Sequence, residues 1–153
     1  MRPQHVFVRL SLAFICVTVL GLIARPASAQ NLGVRVGASA DPDQFYFGGH
    51  FETAPLLERL RFRPNAEIGL GDDQTLVAFN FEFAYAFRSS RPWNLYVGAG
   101  PALNIVDSDQ DTDAAGGFNI LFGVEHRGGL FVEFKVGTID SPDLKVGIGY
   151  TFR

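Results

Sequence analysis

Between residues 77 and 87 the chain reads VAFNFEFAYAF, with Val77, Phe79, Phe81, Phe83, Tyr85 and Phe87 at every second position. Ala78, Asn80, Glu82, Ala84 and Ala86 lie between them. A period of two is that of a β-strand, whose successive side chains point to opposite faces. Eight stretches share this alternation, near 32–39, 44–53, 60–70, 75–87, 93–105, 118–126, 130–138 and 144–153. Most of the breaks carry turn chemistry: ADPD (40–43), GDD (71–73), RSSRP (88–92), DSDQDTDAAGG (107–117), HRGG (126–129) and DSPD (140–143), with TAPLLER (53–59) less typical. No segment has helical periodicity beyond about two turns. The pattern predicts an all-β, eight-stranded antiparallel up-and-down meander.

Sorting strand positions by phase separates two chemistries. One phase holds the large apolar residues, among them Val34, Val36, Phe47, Ile68, Trp93, Phe122, Phe134, Ile148 and Tyr150. Twelve of the thirteen Phe residues beyond position 29 belong to it, Phe131 being the exception. The other phase holds Arg35, Glu52, Arg61, Arg63, Glu67, Glu82, Glu125, Glu133, Lys135, Lys145 and Arg153, with His50, several Asn and many Gly and Ala.

Which phase faces inward decides the fold class. A soluble lipocalin-like barrel turns its apolar phase inward; a transmembrane barrel turns it outward, toward lipid. An eight-stranded barrel encloses just enough room for side chains, and more than thirty large apolar residues overfill it. Small residues in the charged phase suit a narrow lumen rather than a solvent face. Five Glu against six Lys and Arg suit an interior where each charge needs a partner, since an unpaired buried charge costs several kcal/mol. The reading is therefore an eight-stranded transmembrane β-barrel whose eleven charges form a structural lumen network. A secreted β-sandwich is the blander alternative.

The start of the chain is different. Arg2 and Arg9 precede the apolar run 10–24, and Pro26-Ala27-Ser28-Ala29 follows, the form of a signal peptide cut after Ala29. The run is shorter than the roughly 20 residues of a spanning helix. This divides the chain into a signal peptide, 1–29, and a barrel domain, 30–153. The single Cys, Cys16, lies in the leader, so the mature chain has no disulfide. Three of the 13 Lys and Arg also lie there, leaving ten against 16 acidic residues, a formal charge of −6. An acidic chain without a basic stripe argues against nucleic acid as a partner.

With this leader, eight strands and the last strand KVGIGYTFR, the chain resembles the small eight-stranded outer-membrane barrels of Gram-negative bacteria, the group of the OmpA membrane domain and the OmpX-like proteins. The resemblance implies a monomer in the outer membrane, in contact with its lipid and lipopolysaccharide. It also implies insertion by the barrel-assembly machinery, which reads a terminal aromatic residue; here Phe152 is followed by Arg153. Both chain termini would lie in the periplasm, with the acidic turns at the cell surface and no periplasmic anchoring module after the barrel.

Candidate chemistry is sparse. Asp107, Asp109, Asp111 and Asp113 alternate like the opening of a calcium loop, but Thr112 stands where such a loop needs Gly and Phe118 where it needs Glu. A solvated acidic loop is the expectation, with no metal and no cofactor. His50 and Glu52 lie two apart on the lumen face, close enough to interact, yet no serine completes a triad. A non-enzymatic barrel with a structural or surface-interaction role is the leading reading. A lipid A-modifying outer-membrane enzyme and a soluble periplasmic carrier are the alternatives. Pro64 and Pro101 each remove a ladder donor, so local bulges are expected there.

Overall fold

Strands form where β-branched and aromatic residues alternate with small or polar ones, because these side chains pack well on a pleated surface. In the computed structural model, which describes residues 31–153 apart from 73, 88, 109 and 110, they are β1 (Asn31–Ala40), β2 (Gln44–Glu52), β3 (Leu60–Leu70), β4 (Gln74–Ala86), β5 (Trp93–Ser108), β6 (Thr112–His126), β7 (Leu130–Thr138) and β8 (Leu144–Thr151). The expected signal peptide, 1–29, lies outside the described residues. Each strand pairs antiparallel with the next, and β8 pairs with β1, so the sheet closes into a barrel. Closure leaves no edge strand, which lets a sheet satisfy its backbone in hydrocarbon.

The burial pattern settles the faces. Along β8, Lys145 is 4% exposed while its neighbour Val146 is 39% exposed and Ile148 47%. Along β1, Arg35 is 2% exposed and Val36 54%. The large apolar phase points outward and the charged phase fills the interior. An apolar surface wrapped round a whole cylinder far exceeds the few hundred Å² that soluble monomers expose.

The hairpin between β5 and β6 departs from the sequence reading. The expected turn 107–117 is mostly sheet: Val106 pairs with Asp113, Asn104 with Ala115 and Ala102 with Gly117. Backbone pairing does not need large side chains once the partner strand continues, and Ala114 to Gly117 follow it. Side chains then tighten the tip. Thr112 Oγ1 donates to Asp107 Oδ1 at 2.8 Å, and Ser108 Oγ donates to the Asp111 carbonyl at 3.1 Å.

The prolines also differ from expectation. Neither shifts the register, so no bulge forms at either position. Each interrupts one ladder and leaves the other intact. Pro64 keeps its pairing with Phe81, while the β2–β3 ladder stops at His50 and Asn65. Pro101 pairs with Phe118, while the β4–β5 ladder skips from Asn80–Ala102 to Phe83–Ala99. A missing N–H opens a gap on one side only, and the neighbouring pairs hold the strands in step.

The barrel ends are unlike. Turns 41–43, 71–73 and 139–143 and the β5–β6 tip share one end, where Asp41, Asp43, Asp72, Asp107, Asp111, Asp113, Asp140 and Asp143 cluster without a Lys or Arg in the described turns. Turns 53–59, 87–92 and 127–129 share the other end with the start of β1 and the finish of β8, and carry Arg59, Arg91 and Arg127. Around this second end, ring pairs Tyr85–Phe87, Trp93–His126 and Tyr150–Phe152 meet edge-on at 5.3, 5.0 and 5.4 Å. Such a girdle suits a membrane interface, where an aromatic ring meets acyl chain and headgroup together.

Candidate functional site: a charge-filled lumen

Every second residue of each strand points into the cylinder, so charges far apart in sequence meet there. Five Glu and six basic side chains form one connected ion-pair network. Glu67 is a hub: Lys145 Nζ donates to it at 2.7 Å, Lys135 Nζ at 3.0 Å and Arg35 at 3.3 Å. Glu133 is a second, accepting from Arg35 at 2.9 Å, Arg63 at 3.3 Å and the Tyr96 hydroxyl at 2.7 Å. Lys135 lies 2.8 Å from Glu82, which joins the network through it.

Toward the Arg-bearing end, Glu52 holds Arg61 and Arg63, each at 2.7 Å. Glu125 takes Arg61 at 3.0 Å and Arg63 at 3.3 Å. Arg153 closes the row from outside the last strand, 3.3 Å from Glu125 and 3.8 Å from Glu52. Of the eleven, Arg61 and Arg153 alone keep appreciable contact with solvent, with side chains 19% and 29% exposed.

Neutral groups complete the packing. A chain of amides crosses the lumen: Asn119 donates to Asn80 at 2.7 Å, Asn80 to Asn65 at 2.7 Å, and Asn65 to Glu82 at 2.8 Å. Phe131, the one Phe in the charged phase, is buried between guanidinium groups, with Arg35 and Arg63 each 5.4 Å from its ring centre. Arg63 also lies 4.7 Å from the Tyr96 ring centre and Lys145 5.2 Å from that of Tyr46. Desolvated contacts of this kind are worth about 2 kcal/mol.

The rings need room, and glycine supplies it. A Cβ on Gly147 would collide with the Tyr46 hydroxyl, and one on Gly149 with the Phe131 ring. Tyr46, Tyr96, Leu76 and Leu121 share the inward phase and are buried. Their apolar character concealed them in the sequence; strand parity alone, placing each between two outward residues, would have found them.

The acidic end is covered from within the chain. Asn104 Nδ2 donates to the Asp140 carbonyl at 2.7 Å and to Ser141 Oγ at 3.1 Å. Ser39 Oγ donates to the Pro42 carbonyl at 2.9 Å, and the Asp143 N–H donates to the Asp41 carbonyl at 3.3 Å. Turns 41–43 and 139–143 thus meet over the opening.

His50 shares a hydrogen bond of 3.0 Å with Thr151 Oγ1 and packs edge-on against Phe131 at 5.3 Å. The expected contact with Glu52 is replaced by this one: Gly33 of β1 pairs with both His50 and Thr151 and has no side chain to stand between them, and Glu52 is taken by Arg61 and Arg63. Of the acidic run, Asp109 lies outside the described residues. Among the described residues, no group of three His, Cys, Asp or Glu side chains is placed to hold a metal.

In sequence, the chain matches no protein-family model and no curated protein. In structure it is similar to neisserial surface protein A, with a TM-score of 0.64 at 16% identity over 80% of this chain and 94% of that one. It is likewise similar to the N-terminal β-barrel domain of Pseudomonas aeruginosa OprF, with a TM-score of 0.66 at 14% identity over 81% and 96%. A de novo designed transmembrane β-barrel matches with a TM-score of 0.55 at 17% identity over 83% and 98%. The fold is that of the small eight-stranded outer-membrane barrels, with a charged interior.

Proposed function

We propose that this protein is an integral outer-membrane barrel of a Gram-negative cell, non-enzymatic, with a structural or surface-interaction role. The observation that carries the reading is the inverted burial: aliphatic and aromatic side chains on the outside, ion pairs on the inside. Such an exterior is stable only against hydrocarbon. The lumen is occupied by paired charges, amides and rings, which supports a closed cylinder over a water-filled pore; aqueous channels belong to barrels of about sixteen strands. The role left to the molecule lies at its ends. Acidic turns would face the exterior beside lipopolysaccharide, and Phe152, 57% exposed near the end of the chain, would be available to the barrel-assembly machinery. A monomer suffices, because closure leaves no strand edge to share.

Heat-modifiable migration tests this reading. The mature protein refolded in detergent should run at one position on a gel without boiling and at another after boiling, because a folded barrel resists the detergent until heated. Identical migration in both lanes contradicts it. Lipid A mass spectra from cells with and without the gene test the enzymatic alternative and should be identical.

A further inference from the structure

Two cavities meet at the Arg-bearing end of the barrel, and their chemistries are complementary halves of one ligand. The first, about 200 Å³, opens at the mouth and is lined by Arg59, Arg61 and Arg127 with Glu58, Asn94 and Phe87 among its other walls. Arg61 is already held by Glu52 and Glu125. Arg127 donates one Nη2 hydrogen bond, to the Ser89 carbonyl at 3.1 Å. Arg59 makes no side-chain hydrogen bond or ion pair to any described residue. Two guanidinium groups therefore retain free donors, against the one carboxylate of Glu58.

The second cavity, about 510 Å³, is a groove on the outer wall with apolar sides formed by Leu95, Val97, Phe122, Val124, Phe134 and, again, Phe87. Phe87 lines both, so the groove runs up the lipid-facing wall to the ridge behind which the arginines sit. The girdle residue Trp93 lies two positions from Leu95 on the same strand, which sets this junction at the depth of the membrane interface.

We infer that the junction of these cavities binds one anionic glycerophospholipid, its phosphate on Arg59 and Arg127 and an acyl chain along the Phe87–Phe134 groove. The inference rests on the membrane reading above. Charge complementarity selects the occupant: a cation pair beside an apolar trough at the interface matches a headgroup phosphate and the chain attached to it. A zwitterionic lipid offers the same chain but a headgroup amine that the arginines repel. A soluble anion would leave the groove unused.

Trp93, the only tryptophan, reports on the site. The mature protein is refolded into phosphatidylcholine vesicles containing either brominated phosphatidylglycerol or brominated phosphatidylcholine at the same mole fraction, and quenching of Trp93 gives the relative association constant. Phosphatidylglycerol should be preferred on the order of fivefold, the size expected for two partly exposed charge contacts. The preference should disappear in the Arg59→Gln/Arg127→Gln double variant. It should also fall in Val97→Phe, which fills the groove and leaves every arginine in place. Retained heat-modifiable migration shows that the variants are folded. Equal quenching by the two lipids, or a preference that survives either variant, overturns the inference and leaves the membrane reading standing. No quenching by either lipid overturns both.

Discussion

Glu67→Gln should lower the unfolding free energy of the barrel in phospholipid vesicles by about 3–5 kcal/mol, the usual cost of removing one partner from a buried ion pair. Among the described residues Glu67 is the only carboxylate paired with Lys145, so the variant leaves that ammonium, 5% exposed, without a described acidic partner. Lys135 keeps Glu82 at 2.8 Å and Arg35 keeps Glu133 at 2.9 Å, so the damage is concentrated on one group. The reverse change, Lys145→Met, removes a charge while leaving Glu67 with Arg35 and Lys135, and should cost less. The double variant should then be more stable than Glu67→Gln alone, because it removes the stranded ammonium. Urea titrations of the four proteins, followed by tryptophan fluorescence, measure the coupling. Equal losses for the two single variants with strict additivity in the double would mean that Lys145 does not depend on Glu67.

The second large effect is expected on the opposite face. Ile148 lies midway along the outer face of β8, pairing with Val36 on one side and Val132 on the other. Ile148→Arg should destabilise the vesicle-bound barrel by roughly 2–4 kcal/mol, the cost of an arginine near the bilayer midplane on a lipid-facing strand. On a water-facing surface the same change should stay within about 0.5 kcal/mol. The two variants report on different physics. Glu67→Gln strands a cation in a packed interior, whereas Ile148→Arg places one in hydrocarbon, and high salt should relieve neither, since both sites are out of reach of mobile ions.

Much of this arrangement is legible in the sequence because barrel strands obey a strict parity. Knowing that Val146, Ile148 and Tyr150 share a face is enough to place Lys145 on the other, and the number of large apolar residues decides which face is inside. The eleven charges follow from that one rule. Their partners do not. Arg35 and Glu133 are 98 residues apart and meet only because the sheet closes and its strands are staggered. The local spacing that suggested a contact between His50 and Glu52 carries no such information, and Thr151, two strands away on the far side of Gly33, is the partner instead.

Residues whose type disagreed with their phase were also hidden: Tyr96 and Leu121 look like belt residues, yet parity turns them inward to pack between charges. The β5–β6 tip misled for a related reason. Asp, Ala and Gly are weak strand formers, but the partner strand, carrying Leu103, Ile105 and Val106, extends the ladder across them.

The inverted cylinder itself is tested most directly by a nitroxide scan of β8. Residues 30–153 contain no cysteine, so single cysteines placed in turn at 144, 145, 146, 148, 150 and 151 of that segment can each be labelled uniquely in the vesicle-bound protein. Labels at 146, 148 and 150 should collide freely with oxygen dissolved in the acyl chains, and those at 145 and 151, the inward positions of β8 that are not glycine, should be shielded from oxygen and from a water-soluble nickel chelate alike. The opposite alternation, with 145 and 151 open to the chelate and 146, 148 and 150 shielded, would mean that the charges face water and the apolar residues form a core.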